Sequence, residues 1–125
     1  MAIEAARLPP ELLDRIAERL KALADPARLR LLHALVAEER RVVDLVPLLG
    51  CTQANVSKHL AVLRRAGLVR GRRAGANVHY RIADPVVFRV CRLLCDSLVR
   101  EARRTASVAA AGEAAYLRRR APRRR

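Results

Sequence analysis

Residues 44–69 read DLVPLLGCTQANVSKHLAVLRRAGLV, and this stretch decides the fold. Its first part predicts a short helix over 44–49, which Gly50 ends, as a glycine just beyond a helix commonly does. Thr52 is a suitable N-cap for a longer helix over 53–66. Two helices joined by a tight turn that contains glycine are typical of a helix-turn-helix.

Two further helices are predicted before this stretch. Leucines and an isoleucine at helical spacing predict a first helix over 10–24. Asp25 then serves as the N-cap, and Pro26 as the first residue, of a second helix. The charged run over 38–41 ends that second helix. Residues 42–43 predict a short extended piece directly before the third helix.

The hydrophobic period changes beyond the helix-turn-helix. Two β-prone runs, 68–70 and 77–82, flank a loop over 72–76 that contains glycine, which predicts a β-hairpin. Asp84 caps a final helix, the longest in the chain. The predicted order is therefore four helices, a hairpin and one helix. This mainly α arrangement with a small β-hairpin is that of a winged helix-turn-helix.

The composition indicates a basic protein with one domain. The chain has 125 residues and a formal net charge of +14. A charge this basic indicates a polyanionic partner, because clustered Arg and Lys release counterions from phosphates. Periodicity fades past Ala111, so we predict a domain over 1–111 and a basic, disordered tail over 112–125. The sequence shows neither a run of ~20 apolar residues nor a signal-type N-terminus, which predicts a cytoplasmic protein without a membrane partner.

The predicted helix over 53–66 has one apolar and one polar face. At 100° per residue, the core side carries Val56, Leu60 and Leu63. The opposite face suits a DNA major groove, where Gln can bond adenine and Lys can reach guanine or phosphate. An isolated polar helix face is more often only solvated, but the order of elements and the charge favour DNA. The predicted DNA-binding residues are Thr52, Gln53, Ala54, Ser57, Lys58, His59, Arg72 and Arg73.

Two long segments, LADPARLRLLHAL over 23–35 and VVDLVPLLGCTQANVSKHLAVLRRAGLVRGRRAGANVHYRI over 42–82, resemble the ArsR/SmtB family of arsenical- and metal-responsive repressors. The resemblance covers about 20–98. It implies a winged-helix homodimer that pairs through its first and last helices and binds an imperfect inverted repeat in double-stranded DNA until an inducer binds. It also places Gln53, Ala54, Ser57 and Lys58 against DNA. Because serine is common in the family where Ala54 stands, we expect one hydrogen bond to the operator to be missing.

The family resemblance also implies inducer sites, of which two are absent here. The thiol pair that arsenical sensors often carry at the third helix corresponds to Arg41 and Val43, which cannot ligate. In zinc and cobalt sensors the ligands lie on the last helix. Asp84 matches the first of them, but is better explained as an N-cap. The other ligand positions hold Val86, Ser97 and Arg100.

Three cysteines remain as candidate inducer ligands. The i, i+4 spacing of Cys91 and Cys95 places two thiols on neighbouring turns of one helix face. With Cys51 as a third thiolate, they would form a trigonal site for As(III) or Sb(III), with Cd, Pb or Hg as substitutes. Two alternatives stay open. The thiols can be small buried residues, or they can sense redox state or persulfide, although a disulfide at this spacing strains a helix.

A function of another class is also compatible with the composition. A basic architectural or RNA-binding protein would use its arginine-rich surface and tail, with little sequence discrimination. The aromatic fraction of only 2% speaks against single-strand binding by base stacking. An enzyme is not expected, because the sequence shows no nucleophile–base constellation, no glycine-rich phosphate loop and no paired carboxylates.

Overall fold

A computed structural model describes residues 7–120 of the chain. It divides into two compact units with a boundary between Val87 and Phe88. The elements of the described part are, in chain order, α1 (Pro10–Leu23), α2 (Pro26–Ala34), β1 (Arg40–Arg41), α3 (Val42–Leu49), α4 (Gln53–Arg65), β2 (Val69–Ala74), β3 (Asn77–Ile82) and α5 (Val86–Arg120). The predicted winged helix-turn-helix is therefore confirmed, with one strand added before α3.

The core of the first unit consists of aliphatic side chains from every helix of that unit. α4 contributes Val56, Leu60 and Leu63, each at most 1% exposed. The other buried members are Ala22, Leu31, Leu32, Leu35, Leu45, Leu68, Val69 and Val87. Burial of leucine and valine stabilises such a core by about 1.5–3 kcal/mol for each side chain. The buried side of α4 is the one that the 3.6-residue period predicts.

The predicted helix ends are confirmed at three places. Asp25 Oδ1 accepts hydrogen bonds from the backbone N–H groups of Ala27 at 2.8 Å and Arg28 at 3.2 Å, which makes it the N-cap of α2. Thr52 Oγ1 accepts from the backbone N–H of Asn55 at 3.2 Å and caps α4. Gly50 has a φ of +62°, a left-handed conformation that glycine adopts without steric cost, and it ends α3.

The beginning of α3 differs from the sequence prediction. The extended piece is β1 rather than residues 42–43, and the helix begins at Val42 instead of Asp44. Asp44 lies in the first turn, where its Oδ2 accepts a hydrogen bond from the backbone N–H of Arg41 at 3.2 Å. The carboxylate thus reaches back to the residue before the helix, as acidic side chains at the third helical position do in a capping box.

The predicted hairpin is part of a three-stranded antiparallel sheet with strand order β1-β3-β2. β1 pairs with β3 through Arg40 opposite Tyr80, which adds the third strand. Arg72 and Arg73 lie within β2 rather than in the loop, because the strands pair up to Ala74 opposite Asn77. The turn between β2 and β3 is correspondingly tight. These strand pairs form the wing.

α5 begins at a carboxylate cap and is longer than predicted. Asp84 Oδ1 accepts from the backbone N–H of Val86 at 3.0 Å, and its Oδ2 pairs with Arg19 of α1 at 3.0 Å, which confirms its role as an N-cap. The helix has 35 residues, about 52 Å at 1.5 Å per residue.

The tail prediction is wrong between residue 112 and Arg120, because α5 continues to Arg120. Alanine is the best helix former, and six of the ten residues over 106–115 are alanines, so the helix continues past 111 without an apolar stripe. The rest of the predicted tail, 121–125, lies outside the described residues, and the domain boundary at 111 stays a prediction. No helix within residues 7–120 has the length and apolar character that a membrane span requires.

Candidate nucleic-acid interface

The polar face of α4 is exposed along the first two turns of the helix. The exposed residues are Gln53, Ala54, Ser57 and Lys58. Val56 and Leu60, on the opposite side of the helix, are buried. The helix therefore presents an amide, a methyl, a hydroxyl and an ammonium group on one side. The buried leucine and valine fix which side this is, because a rotation of the helix would expose them.

A groove of about 210 Å³ lies beside this face and reaches the wing. Gln53 lines it from the first turn of α4, and Ala76 and Asn77 line it from the tip of the wing. The remaining walls are Arg41, Val42 and Val43 at the start of α3, and Val78 and Tyr80 of β3. Helix α4, the start of α3 and the wing tip thus surround one concave surface.

The two predicted wing arginines have different environments. Arg73 is exposed, whereas Arg72 is tied to Glu39, the residue before β1. Arg72 Nε donates to Glu39 Oε2 at 2.8 Å, and Arg72 Nη2 forms an ion pair with the same oxygen at 2.7 Å. The hydrogen bond from Arg72 holds the pKa of Glu39 below its usual value, and the same bond raises the pKa of Arg72. Both groups are therefore charged at neutral pH.

A second ion pair lies at the start of α3. Arg41 Nε and Nη2 donate to the two carboxylate oxygens of Asp44, each at 3.0 Å. The side-chain hydrogen bond from Arg41 lowers the pKa of Asp44, and the Asp44 carboxylate raises the pKa of Arg41. Arg41, at the first position of the arsenical-type site, is thus a cation held by a carboxylate, and Val43 at the second position is apolar.

His59 is half-buried and faces α2 through one ring nitrogen. Arg28 Nη1 lies 3.5 Å from His59 Nδ1, a long contact in which only the guanidinium can donate. Arg28 also donates to the end of α1, from Nε to the carbonyl oxygen of Ala22 at 2.6 Å and from Nη2 to that of Lys21 at 3.1 Å. One arginine therefore links the C-terminus of α1 with the flank of α4.

All three cysteines are free thiols. Cys51 lies in the turn between α3 and α4, half-buried, with its Sγ 3.5 Å from the carbonyl oxygen of Leu49. On α5, Cys91 is half-buried and Cys95 is exposed, so the helical pair keeps one thiol open to solvent. Within residues 7–120, no group of three or more His, Cys, Asp or Glu side chains is arranged to hold a metal ion.

The sequence prediction missed Glu39, Arg28 and the groove beside Gln53. Glu39 stands in the charged run over 38–41, which was interpreted only as a helix end, and its partner Arg72 is 33 positions away. The Asp-Pro-x-Arg pattern over 25–28 carried a usable signal for Arg28, since an arginine three residues after an N-cap lies within reach of the preceding helix end.

Comparison with known proteins agrees with this geometry. The family model described as "Bacterial regulatory protein, arsR family" matches residues 25–70. A transcriptional repressor SmtB homolog of Synechocystis is 42% identical over 85 residues, which are 68% of this chain and 64% of that protein. A probable mercury resistance operon repressor of Streptomyces lividans is 37% identical over 86 residues, 69% of each chain. This chain thus spans less than two thirds of the length of the Synechocystis relative.

A solved structure gives the same result for the fold. The homodimeric winged helix-turn-helix DNA-binding domain Mb0332 of Mycobacterium bovis superposes with a TM-score of 0.66 at 31% identity, covering 78% of this chain and 94% of that one. The element order, the exposed polar face of α4, the wing and these similarities agree over the same part of the sequence. The chain belongs to the arsR family of bacterial regulatory proteins.

Proposed function

We propose that this protein is a transcriptional repressor that binds an inverted-repeat operator as a homodimer. The observation that carries this proposal is the polar, exposed face of α4, which lies opposite buried core residues and beside a groove that the wing completes. The basic charge of +14 suits a phosphate-rich partner. The relatives from Synechocystis and Streptomyces are described as repressors, which supports the same assignment.

Each predicted contact residue has a chemical role in this proposal. Gln53 presents an amide that can bond adenine bidentately, and Lys58 presents a cation for guanine or phosphate. Ala54 offers only a methyl group, which suits contact with a thymine methyl rather than a hydrogen bond. The further contacts are Ser57 with base edges and Thr52, His59, Arg72 and Arg73 with the backbone. His59 can donate from Nε2, since its Nδ1 faces Arg28.

Exposed apolar residues on α1 and α5 support the homodimer. On α1, Leu12, Ile16 and Leu20 are 38–51% exposed, and on α5, Leu94 and Leu98 are at least 60% exposed. Soluble proteins seldom leave such contiguous apolar stripes in water, and a second copy covers the same stripes on both subunits. The homodimeric M. bovis domain supports this assignment.

We further propose that Cys91 and Cys95 bind a thiophilic inducer, with As(III) or Sb(III) favoured. Cys91 and Cys95 are free thiols one turn apart on α5, which is the spacing that a two-thiolate chelate needs. Cys51, from the same subunit or its partner, would supply a third thiolate. Asp84 is already engaged by Arg19 and the α5 backbone, which disfavours a zinc site there. A redox or persulfide response of the same thiols is the alternative, since all three are free.

The DNA-reading face is tested by substitution of the two lysines of the chain, Lys58 and Lys21. Lys58→Ala and Gln53→Ala should each weaken binding to a selected operator duplex by at least about 5-fold in fluorescence anisotropy, because one base contact contributes ~1–3 kcal/mol and the homodimer loses one in each subunit. Lys21→Ala on α1 is the matched control and should change binding less than two-fold. Unchanged operator affinity in both α4 variants would contradict the reading face. Dominance of non-specific binding would favour a basic architectural protein instead.

The inducer is tested on the protein–operator complex. Arsenite, antimonite, cadmium, lead, mercury, zinc and a persulfide donor are titrated separately while release of the duplex is followed. We expect arsenite or antimonite to release it, and we expect Cys91→Ser and Cys95→Ser to abolish the response. Cys51→Ser reports whether the turn thiol is a ligand. Release by zinc that survives both helix substitutions would exclude the thiolate site, and release by the persulfide donor alone would establish the alternative.

A further inference from the structure

Glu39 lies between two arginines of the wing. Its Oε2 accepts a hydrogen bond from Arg72 Nε of β2 and lies 2.7 Å from Arg72 Nη2, and its Oε1 lies 3.9 Å from Arg81 Nε of β3. The strand register explains the position, because Arg40 lies opposite Tyr80, and Glu39 is therefore beside Arg81 on the same face of the sheet. A residue outside the hairpin thus holds cations from both of its strands.

The other ionisable side chains that the hairpin places on this face are basic. Strand alternation places Arg70, Arg72, His79 and Arg81 on one side, since Arg70 pairs with Arg81 and Arg72 with His79. Glu39 is the carboxylate that these groups surround. The pair with Arg72 is reversible, because Arg72 is 56% and Glu39 29% exposed, and exposed ion pairs are weak.

We propose that Glu39 is a specificity-determining residue that restrains Arg72, so that the wing binds weakly to DNA of arbitrary sequence. This inference rests on the proposed DNA contact of the wing. Phosphate contacts carry no sequence information, so a free arginine strengthens binding to every duplex alike. Glu39 competes with phosphate for the guanidinium of Arg72. In a loosely docked, non-specific complex, this competition removes most of the affinity that Arg72 would otherwise add. A closely docked operator is bound through base contacts of α4, which Glu39 does not affect.

The test uses Glu39→Gln in the full chain, which keeps the size of the side chain and removes its charge. Affinity is measured for the operator and for a scrambled duplex of equal length, between 50 and 300 mM salt. We expect scrambled DNA to bind about 3- to 10-fold more tightly at the lowest salt, with a salt slope steeper by about two units, because each subunit of the proposed dimer adds one phosphate contact. Operator affinity should rise less, so the ratio of the two affinities falls.

Two variants separate restraint from simple charge. Glu38→Gln removes the neighbouring carboxylate, which is 66% exposed and pairs with Arg40 at 3.4 Å, and it should leave the affinity ratio unchanged. Glu39→Asp keeps the charge but shortens the side chain, and it should lower the ratio in the same direction as Glu39→Gln. In an Arg72→Gln background, Glu39→Gln should change the affinity for scrambled DNA by less than about two-fold, because only the 3.9 Å contact with Arg81 is left to release.

The outcomes are distinct. An equal gain from Glu38→Gln and Glu39→Gln, or weaker binding of both duplexes by Glu39→Gln, would overturn the restraint. If the Glu39→Gln protein loses its helical circular dichroism, the Glu39→Asp and Arg72→Gln variants decide the question. If the unsubstituted protein shows no preference for any selected duplex, the proposed function fails. If it discriminates and the ratio is unchanged in the Glu39 variants, only this inference fails.

Discussion

Helix α4 and the wing both face the proposed DNA, but they are built on different principles. α4 is held by apolar burial on one side and leaves its polar side chains exposed on the other. The wing has little buried area beyond Val69 and uses ion pairs such as Arg72 with Glu39 across its strands. Burial thus separates the residues that stabilise α4 from those that would contact DNA, whereas on the wing the same arginine does both.

The largest expected effect is a loss of folding stability when a buried residue of α4 is substituted. Leu60→Ala removes a side chain that is 1% exposed, and it should lower the free energy of unfolding by about 2–5 kcal/mol, since a cavity remains. Chemical denaturation measures this change. Ser57→Ala on the exposed side of the same helix is the control and should change stability by less than about 0.5 kcal/mol. Comparable losses from both variants would contradict the division into a core face and a reading face.

An intermediate loss of stability is expected from substitution of Gly71, the glycine within β2 of the wing. A Cβ on Gly71 would lie 3.0 Å from Val78 Cγ1 and 3.2 Å from Tyr80 Cε1, so the β3 side chains must shift. Gly71→Ala should therefore cost about 1–3 kcal/mol of stability, as overpacking typically does. Gly112→Ala in α5 is the opposite control, because its Cβ would meet nothing within 4 Å, and it should be neutral or stabilising. A wing that tolerates Gly71→Ala without loss would show that β3 repacks freely.

The smallest effect is a dependence of stability on acid pH. Asp25, Glu39 and Asp44 have pKa values below their ordinary 3.8, 4.5 and 3.8, held down mainly by hydrogen bonds from Arg28, Arg72 and Arg41 respectively. Each contributes stability that is present above the ordinary pKa and lost as pH falls through the lowered value. The Tm should be nearly constant from pH 7 to 5 and fall below about pH 4.5.

Two substitutions divide this acid dependence between the wing and the helix caps. Asp25→Asn and Glu39→Gln should each make the fall of Tm below pH 4.5 shallower, because the group that gains a proton in acid is gone. The exposure of both carboxylates keeps the changes small. A pH profile that neither substitution alters would show that the interactions of these two carboxylates contribute nothing measurable to folding.

The same contrast explains what could be predicted from the sequence. The faces of α4 follow from a period of 3.6 residues, so Val56 and Leu60 were placed correctly, and caps such as Asp25 and Thr52 depend only on local geometry. β1 has two residues and no periodic signal, and it exists because β3 is beside it. For the same reason the Arg72–Glu39 pair was missed. The helical continuation of α5 was missed because alanine forms helices without an apolar stripe.

The three-stranded sheet also has a consequence for the order of folding. Arg41 and His79 pair across the sheet, and the segment between them contains the whole helix-turn-helix. A strand pair that encloses so long a segment forms late. The entropic cost of bringing its two strands together becomes small enough only after local structure has shortened the loop between them. We therefore expect the α3–α4 pair and the β2–β3 hairpin to form first and β1 to join last. In native-state hydrogen exchange, β1 should open while the amides of α4 stay protected.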